Sequence, residues 1–104
     1  MKSKYLFYGK LTAKLGYREE LLSILLEASK MVSSAKGCQL YVLGKEENDL
    51  NSIYITEIWD SKSDHDDSLN IEEVRNLIKK AMPILEKQPE KGKEIEILGG
   101  IGIE

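Results

Sequence analysis

The order of strand-type and helix-type segments is the feature that most restricts the fold of this sequence. Four segments are rich in aromatic and branched side chains, as strands are: residues 4–13, 38–45, 52–60 and 94–103. Helical segments at residues 18–36 and residues 61–85 separate the first strand from the second and the third from the fourth. This β-α-β-β-α-β order predicts a ferredoxin-like α+β fold with a four-stranded antiparallel sheet.

Each helical segment carries an apolar stripe whose members recur every three or four residues. The stripe of the first helix consists of Leu21, Leu25, Ala28, Val32 and Ala35. The stripe of the second, which we expect in two pieces, consists of Ile71, Val74, Ile78, Ala81 and Leu85. Gly37 predicts the end of the first helix, and Ser61 or Ser63 can cap the start of the second. Pro83 is expected to kink or close its last turn.

The length indicates one domain, residues 1–104. Its net charge is −3. This charge does not favour binding to a nucleic-acid backbone, which requires clustered Lys and Arg. The single cysteine, Cys38, allows no intrachain disulfide and suits a reducing compartment. The sequence shows neither a secretory signal nor an apolar run of the roughly 20 residues that a membrane span needs. We therefore expect a cytoplasmic protein whose partners include neither nucleic acid nor membrane.

Both faces of the predicted sheet carry apolar side chains, although two helices can cover only one face. On the third strand, Glu57 and Trp59 share the helix-facing side with two isoleucines. Residues expected on the other face are Leu6, Tyr8, Tyr41, Leu43, Tyr54, Ile58 and Leu98. An exposed apolar patch of this kind predicts a homodimer that packs sheet against sheet. The alternative is that these residues are scattered, or covered by the chain termini.

His65 is the only histidine and the leading candidate for a catalytic residue. Its ordinary pKa, near 6.5, suits a general base at physiological pH. Asp60, Asp64 and Asp67 have helical spacing around it, so a carboxylate–histidine metal site is a second interpretation. The third is a solvated helix N-terminus, where acidic residues are favoured by the helix dipole. We predict no metal here.

Trp59, the only tryptophan, ends the third strand on its helix-facing side. It can be a core residue at the sheet edge or one wall of a ligand pocket. Phe7 and Leu40 are expected to face the helices from the first and second strands, and they complete the predicted substrate contacts. Cys38 has no nearby base or helix N-terminus to activate its thiol, so we expect a packing role.

Two segments resemble the antibiotic biosynthesis monooxygenase (quinol monooxygenase-like) family. Residues 36–41, KGCQLY, contain a G-C-x-x-Y pattern, and residues 55–62, ITEIWDSK, contain an E-x-W-x-S pattern. The resemblance covers residues 4–102. It implies a dimeric α+β barrel with a pocket between sheet and helices in each subunit.

Enzymes of that family oxidise quinol-like or polyketide aromatics with O₂, and the resemblance implies that no cofactor is needed. Trp59 matches the pocket tryptophan of the family. Haem-degrading relatives carry an Asn in the first strand and a His after the Trp, where this sequence has Gly9 and Leu69. We therefore predict a cofactor-independent monooxygenase that acts on a small quinol-like or polyketide-like aromatic, with His65 as proton acceptor. The alternative is a non-enzymatic dimer of the same fold that binds or senses a small molecule.

Overall fold

The computed structural model describes residues 3–103. Its strands are β1 (Lys4–Thr12), β2 (Cys38–Gly44), β3 (Ser52–Trp59) and β4 (Lys93–Ile97). Its helices are α1 (Arg18–Val32), α2 (Lys62–Ser68) and α3 (Glu72–Ala81), and a 3₁₀ turn (Met82–Ile84) extends α3. The predicted order of elements is confirmed, with the second helical segment in two pieces. Pro83 lies in the 3₁₀ turn that closes it.

The four strands form one antiparallel sheet in the order β2-β3-β1-β4. β1 lies between β3 and β4, and its pairing places Tyr5 opposite Trp59 and Phe7 opposite Glu57. Because side chains alternate along a strand, these four residues share one face. This arrangement confirms the predicted α+β, ferredoxin-like fold.

The core lies between the helices and that face of the sheet. One cluster joins Leu21 and Leu25 of α1 to Ile53 and Ile55 of β3 and to Leu77 of α3. The second cluster consists of Tyr5, Val32, Trp59 and Val74. Full burial of such side chains stabilises the fold by roughly 1.5–3 kcal/mol each. The stripe predicted for α3 differs in one position, since Leu77 is buried whereas Ile78 is exposed.

A β-bulge in β2 overturns the predicted facing of Leu40. The register shifts between Cys38 and Leu40, so that Leu40 pairs with Ile58 and Tyr41 pairs with Glu57. The extra residue reverses the alternation of the strand from Leu40 onward. Tyr41 and Leu43 therefore pack against the core. Leu40 and Val42 lie on the opposite side of the sheet.

Two predicted ends are also wrong. α1 ends at Val32, whereas the predicted helical segment ran to residue 36. At this end the hydroxyl of Ser33 donates a hydrogen bond to the carbonyl of Lys30. Gly37 instead forms the turn into β2: its φ is +82°, and a Cβ there would collide with the carboxylate of Asp64. β4 ends at Ile97, well before residue 103. The chain then leaves the extended conformation, with a φ of +139° at Gly100.

The side of the sheet away from the helices, here called the outer face, retains apolar side chains after these corrections. Its strand residues include Leu6, Tyr8, Leu40, Val42, Tyr54, Ile58 and Ile95. The rings of Tyr8 and Tyr54 stack with centroids 6.4 Å apart. Leu98, which was predicted to belong to this patch, is exposed beyond the end of β4.

Candidate active site

A cavity of about 500 Å³ lies between the helices and the sheet. Most of its wall is aliphatic, with side chains from β1, α1, β3 and α3, and residues 89–92 of the loop before β4 form one edge. Phe7 and Tyr41 contribute aromatic surface, while Glu57 and His65 contribute ionisable groups. The volume lies in the range of pockets that bind small organic ligands. The cavity therefore fits an apolar ligand that carries a polar group.

His65 is held in the cavity wall by α2. The hydroxyl of Ser61 accepts a hydrogen bond from the backbone N–H of Asp64, 3.1 Å away, and so caps this helix. His65 is 8% exposed, and its Nδ1 lies 3.0 Å from Oδ1 of Asp66. This contact, with that of Lys62, keeps the pKa of Asp66 below its usual range. An ionised carboxylate can only accept, so Nδ1 carries the hydrogen and Nε2 can take a proton.

Three aromatic rings surround the imidazole. Phe7 stacks on it with centroids 5.4 Å apart, Tyr5 is tilted at 5.3 Å, and Trp59 meets it edge-on at 6.0 Å. The ring of Phe7 is itself confined, because a Cβ on Gly92 would lie 2.5 Å from it. These contacts fix the plane of the imidazole in a largely apolar environment.

Glu57 is the site residue that sequence reasoning missed. It is 7% exposed, and its Oε1 lies 3.8 Å from Nε2 of His65. The indole N–H of Trp59 donates a 2.9 Å hydrogen bond to the same oxygen. Burial raises the pKa of Glu57, against the opposing effects of Trp59 and His65. The available signal was a carboxylate on the helix-facing side of β3, between Ile55 and Trp59.

Polar contacts connect this site with the protein surface. Lys62 lies 3.2 Å from both Asp66 and Glu94, and Tyr5 donates a hydrogen bond to Glu94 over 3.1 Å. Burial of the ring, and after it that hydrogen bond, raises the pKa of Tyr5. Asp66 is half exposed, so His65 bridges a solvated carboxylate and a buried carboxyl group.

The sequence-predicted site residues separate into three groups. His65 and Phe7 line the cavity. Trp59 has no exposed surface and lies behind Glu57 and His65, so it supports the wall without forming it. Leu40 lies on the outer face, and Tyr41 occupies the position expected for it. Burial raises the pKa of Tyr41, as it does that of the Cys38 thiol, which agrees with a packing role for Cys38.

The carboxylates considered as metal ligands do not converge. Within residues 3–103, no three His, Cys, Asp or Glu side chains are grouped closely enough to hold a metal ion. Asp60 instead contacts Lys4 and Gln39, and Asp64 belongs to the start of α2. None of the helices in this part of the chain is long and apolar enough to cross a membrane.

The family model for antibiotic biosynthesis monooxygenases matches residues 5–80. The chain belongs to this family. A solved structure of a candidate antibiotic biosynthesis monooxygenase from Chloroflexus aurantiacus J-10-fl is 35% identical to this chain, with a TM-score of 0.85. The match covers 97% of this chain and 99% of the Chloroflexus chain. No curated protein sequence matches the chain.

Two more distant structures share the fold of this antibiotic biosynthesis monooxygenase family member. A Caulobacter crescentus CB15 protein, also a candidate for the family, is 12% identical with a TM-score of 0.85, over 94% of this chain and 92% of its own. A conserved Methanosarcina mazei Go1 protein is 14% identical with a TM-score of 0.82, and the match covers 90% of this chain and 92% of the Methanosarcina chain. At these identities the similarity concerns the fold alone.

Proposed function

We propose that this protein is a cofactor-independent monooxygenase that oxidises a small, electron-rich aromatic such as a hydroquinone. The observation that carries the proposal is the Glu57–His65 pair in the wall of a mostly apolar cavity. An aromatic ring is stabilised by the aliphatic wall and by Phe7, while its hydroxyl meets the Glu57–His65 pair. Membership of the family supports this class of reaction.

The first step is a proton transfer. Nε2 of His65 takes the proton of the ligand hydroxyl, and the resulting phenolate is electron-rich enough to donate an electron to O₂. For a hydroquinone, one oxygen atom then enters the ring and the other leaves as water. Hydroquinone and O₂ become hydroxybenzoquinone and water, so O₂ supplies both the inserted oxygen and the oxidising equivalents. The protein contributes orientation and a base.

Oxygen consumption with a panel of hydroquinones and polyketide-like phenols tests this proposal. We expect turnover by the unaltered protein and its loss in His65→Gln, which keeps a polar side chain but removes the base. Ser63→Ala, an exposed position on the same helix, is the matched control and should keep full activity. Saturable ligand binding without oxygen consumption would contradict the proposal and support the non-enzymatic binding or sensing role.

We also propose that the outer face forms a homodimer interface. Its apolar side chains lie on the side of the sheet that the helices leave uncovered, and proteins of this family are commonly dimeric. A second copy of the chain is the occupant, packed sheet against sheet. A cytoplasmic location is part of the same proposal, since the only cysteine is a free thiol.

A further inference from the structure

We propose that Glu57 is a second catalytic residue, which in its neutral form donates a hydrogen bond to the ligand phenolate while Asp66 positions His65. This inference rests on the proposed function, because it needs a ligand hydroxyl that loses its proton in the cavity. It adds the group that stabilises the charge left on the ligand oxygen.

Nε2 of His65 makes no direct hydrogen bond to Glu57, so it can meet that oxygen. At 3.8 Å, Nε2 of His65 and Oε1 of Glu57 are too far apart for a hydrogen bond to each other. Both residues line the cavity. A ligand oxygen placed against them can therefore give its proton to Nε2 and accept a hydrogen bond from Oε2, the carboxyl oxygen that does not accept from Trp59.

The contacts of Glu57 favour the neutral carboxyl as the donor. An indole N–H can only donate, so the bond from Trp59 commits Oε1 as an acceptor and leaves Oε2 to carry the proton. Burial in an apolar wall opposes the ionised form. A carboxylic acid kept neutral by an apolar site is a known way to stabilise an oxyanion. An ionised Glu57 would instead repel the phenolate.

Asp66 contacts Nδ1, the other nitrogen of the imidazole. Its ionised carboxylate accepts from Nδ1, which holds the ring in the required tautomer and stabilises the imidazolium once Nε2 is protonated. The proton thus moves from the ligand O–H to Nε2, and the negative charge moves to the ligand oxygen. Other titratable groups around Glu57, His65 and Asp66, or in the lining of the same cavity, are Tyr5, Cys38, Tyr41, Lys62, Glu90, Lys91 and Glu94.

Binding of para-nitrophenol tests the inference without requiring turnover, because the phenol and its phenolate differ in absorbance. Bound to the unaltered protein, para-nitrophenol should ionise at least about tenfold more readily than in solution, by the usual worth of charge-assisted hydrogen bonds. Glu57→Gln should preserve this increase, since an amide also donates. Glu57→Leu should lose it.

Matched variants on α2 test the positioning role. Asp66→Asn should reduce the ionisation of bound para-nitrophenol and change its pH dependence, whereas Asp67→Asn, an exposed neighbour, should change neither. Loss of the increased ionisation in Glu57→Gln as well as in Glu57→Leu would overturn the inference, because it would show that Glu57 acts as a carboxylate. Absence of binding, or a bound phenol that stays protonated, would also overturn it.

The two proposals fail in different ways. If the unaltered protein ionises para-nitrophenol but consumes no oxygen with any hydroquinone, the role of Glu57 stands and the monooxygenase function falls. If it consumes oxygen but leaves bound para-nitrophenol protonated, the monooxygenase function stands and the role of Glu57 falls.

Discussion

Nε2 of His65 lies 3.8 Å from Oε1 of Glu57, and both side chains are almost completely buried in the wall of one cavity. One comes from the middle of a strand and the other from a helix that begins after it. In the proposed mechanism, their proximity brings a base and a hydrogen-bonding carboxyl group to the same ligand atom. The residues that support this pair, and the outer face behind it, can each be tested by substitution.

Glu57 should make the stability of the protein depend on pH. Its pKa is raised by burial above the ordinary value of 4.5, so the folded state holds a proton that the unfolded state has released. The free energy of unfolding should therefore fall as pH rises from about 4.5 through the raised pKa. The loss is up to ~1.4 kcal/mol for each pH unit by which the folded pKa exceeds the unfolded one. Urea denaturation at several pH values measures this.

Glu57→Gln supplies the control for that pH dependence. The amide fits the same space and still accepts from Trp59, but it does not titrate. Relative to this variant, the unaltered protein should lose stability as pH rises from about 4.5 through the raised pKa of Glu57. Parallel pH profiles for the two proteins would show that Glu57 has an ordinary pKa when folded.

Trp59→Phe should destabilise the protein and leave the cavity lining unchanged, because Trp59 does not line the cavity. The substitution removes the only indole N–H and leaves Oε1 of the buried Glu57 without that donor, at a cost of about 1–3 kcal/mol. Circular dichroism during urea unfolding measures the loss. Tyr17→Phe, at an exposed position before α1, is the control and should change stability by less than about 0.5 kcal/mol. Equal stability of all three proteins would contradict the assigned hydrogen bond.

Gly92→Ala should displace Phe7 from His65. The added Cβ would lie 2.5 Å from the Phe7 ring and 2.7 Å from the carbonyl oxygen of Tyr8. Such overpacking costs about 1–3 kcal/mol, and it should also weaken binding of an aromatic ligand. Gly44→Ala makes the same substitution where nothing lies within 4 Å, so it should be neutral or slightly stabilising. Thermal melting measures the stability of both variants, and titration with an aromatic ligand measures how tightly each binds it.

Val42→Asp should disrupt the proposed homodimer. Val42 lies on the outer face and is 49% exposed in the single chain, and burial of an unpaired carboxylate in a sheet-to-sheet interface costs several kcal/mol. Light scattering after size-exclusion chromatography should show a dimer for the unaltered protein and a monomer for the variant. Leu15→Asp, in the loop after β1 and 86% exposed, should remain dimeric. A monomer in every case would refute the interface.

Local patterns in the sequence were sufficient for much of the fold. The alternation of Ile53, Ile55, Glu57 and Trp59 predicted which side of β3 would be buried, and the structure confirms it. A cap at Ser61 or Ser63 followed from their positions at the start of a helical segment, because capping involves atoms only a few residues apart, and the structure selects Ser61. His65 was proposed as a proton acceptor and Phe7 as a substrate contact, and both side chains line the cavity.

The facing of β2 could not be obtained in this way. A strict period of two places Leu40 with Cys38, and nothing in residues 38–44 marks the extra residue that shifts the register. The bulge is settled by pairing with β3, where Tyr41 comes opposite Glu57 and fills the cavity wall. A one-residue shift exchanges every later side chain between the two faces, so a local rule fails completely beyond it.

The sequence by itself determined the order of strands and helices and the buried face of β3, and it limited the cap of α2 to Ser61 or Ser63, since each depends on residues close together in the chain. Only the tertiary structure decided that Glu57, and not Trp59, lines the cavity beside His65. It also decided that Asp66 connects His65 with solvent. Those contacts depend on how α2 packs across the sheet, which is set by the combined packing of β1, β3 and the helices that cover one face of the sheet. No spacing between residues in the chain encodes such a distance.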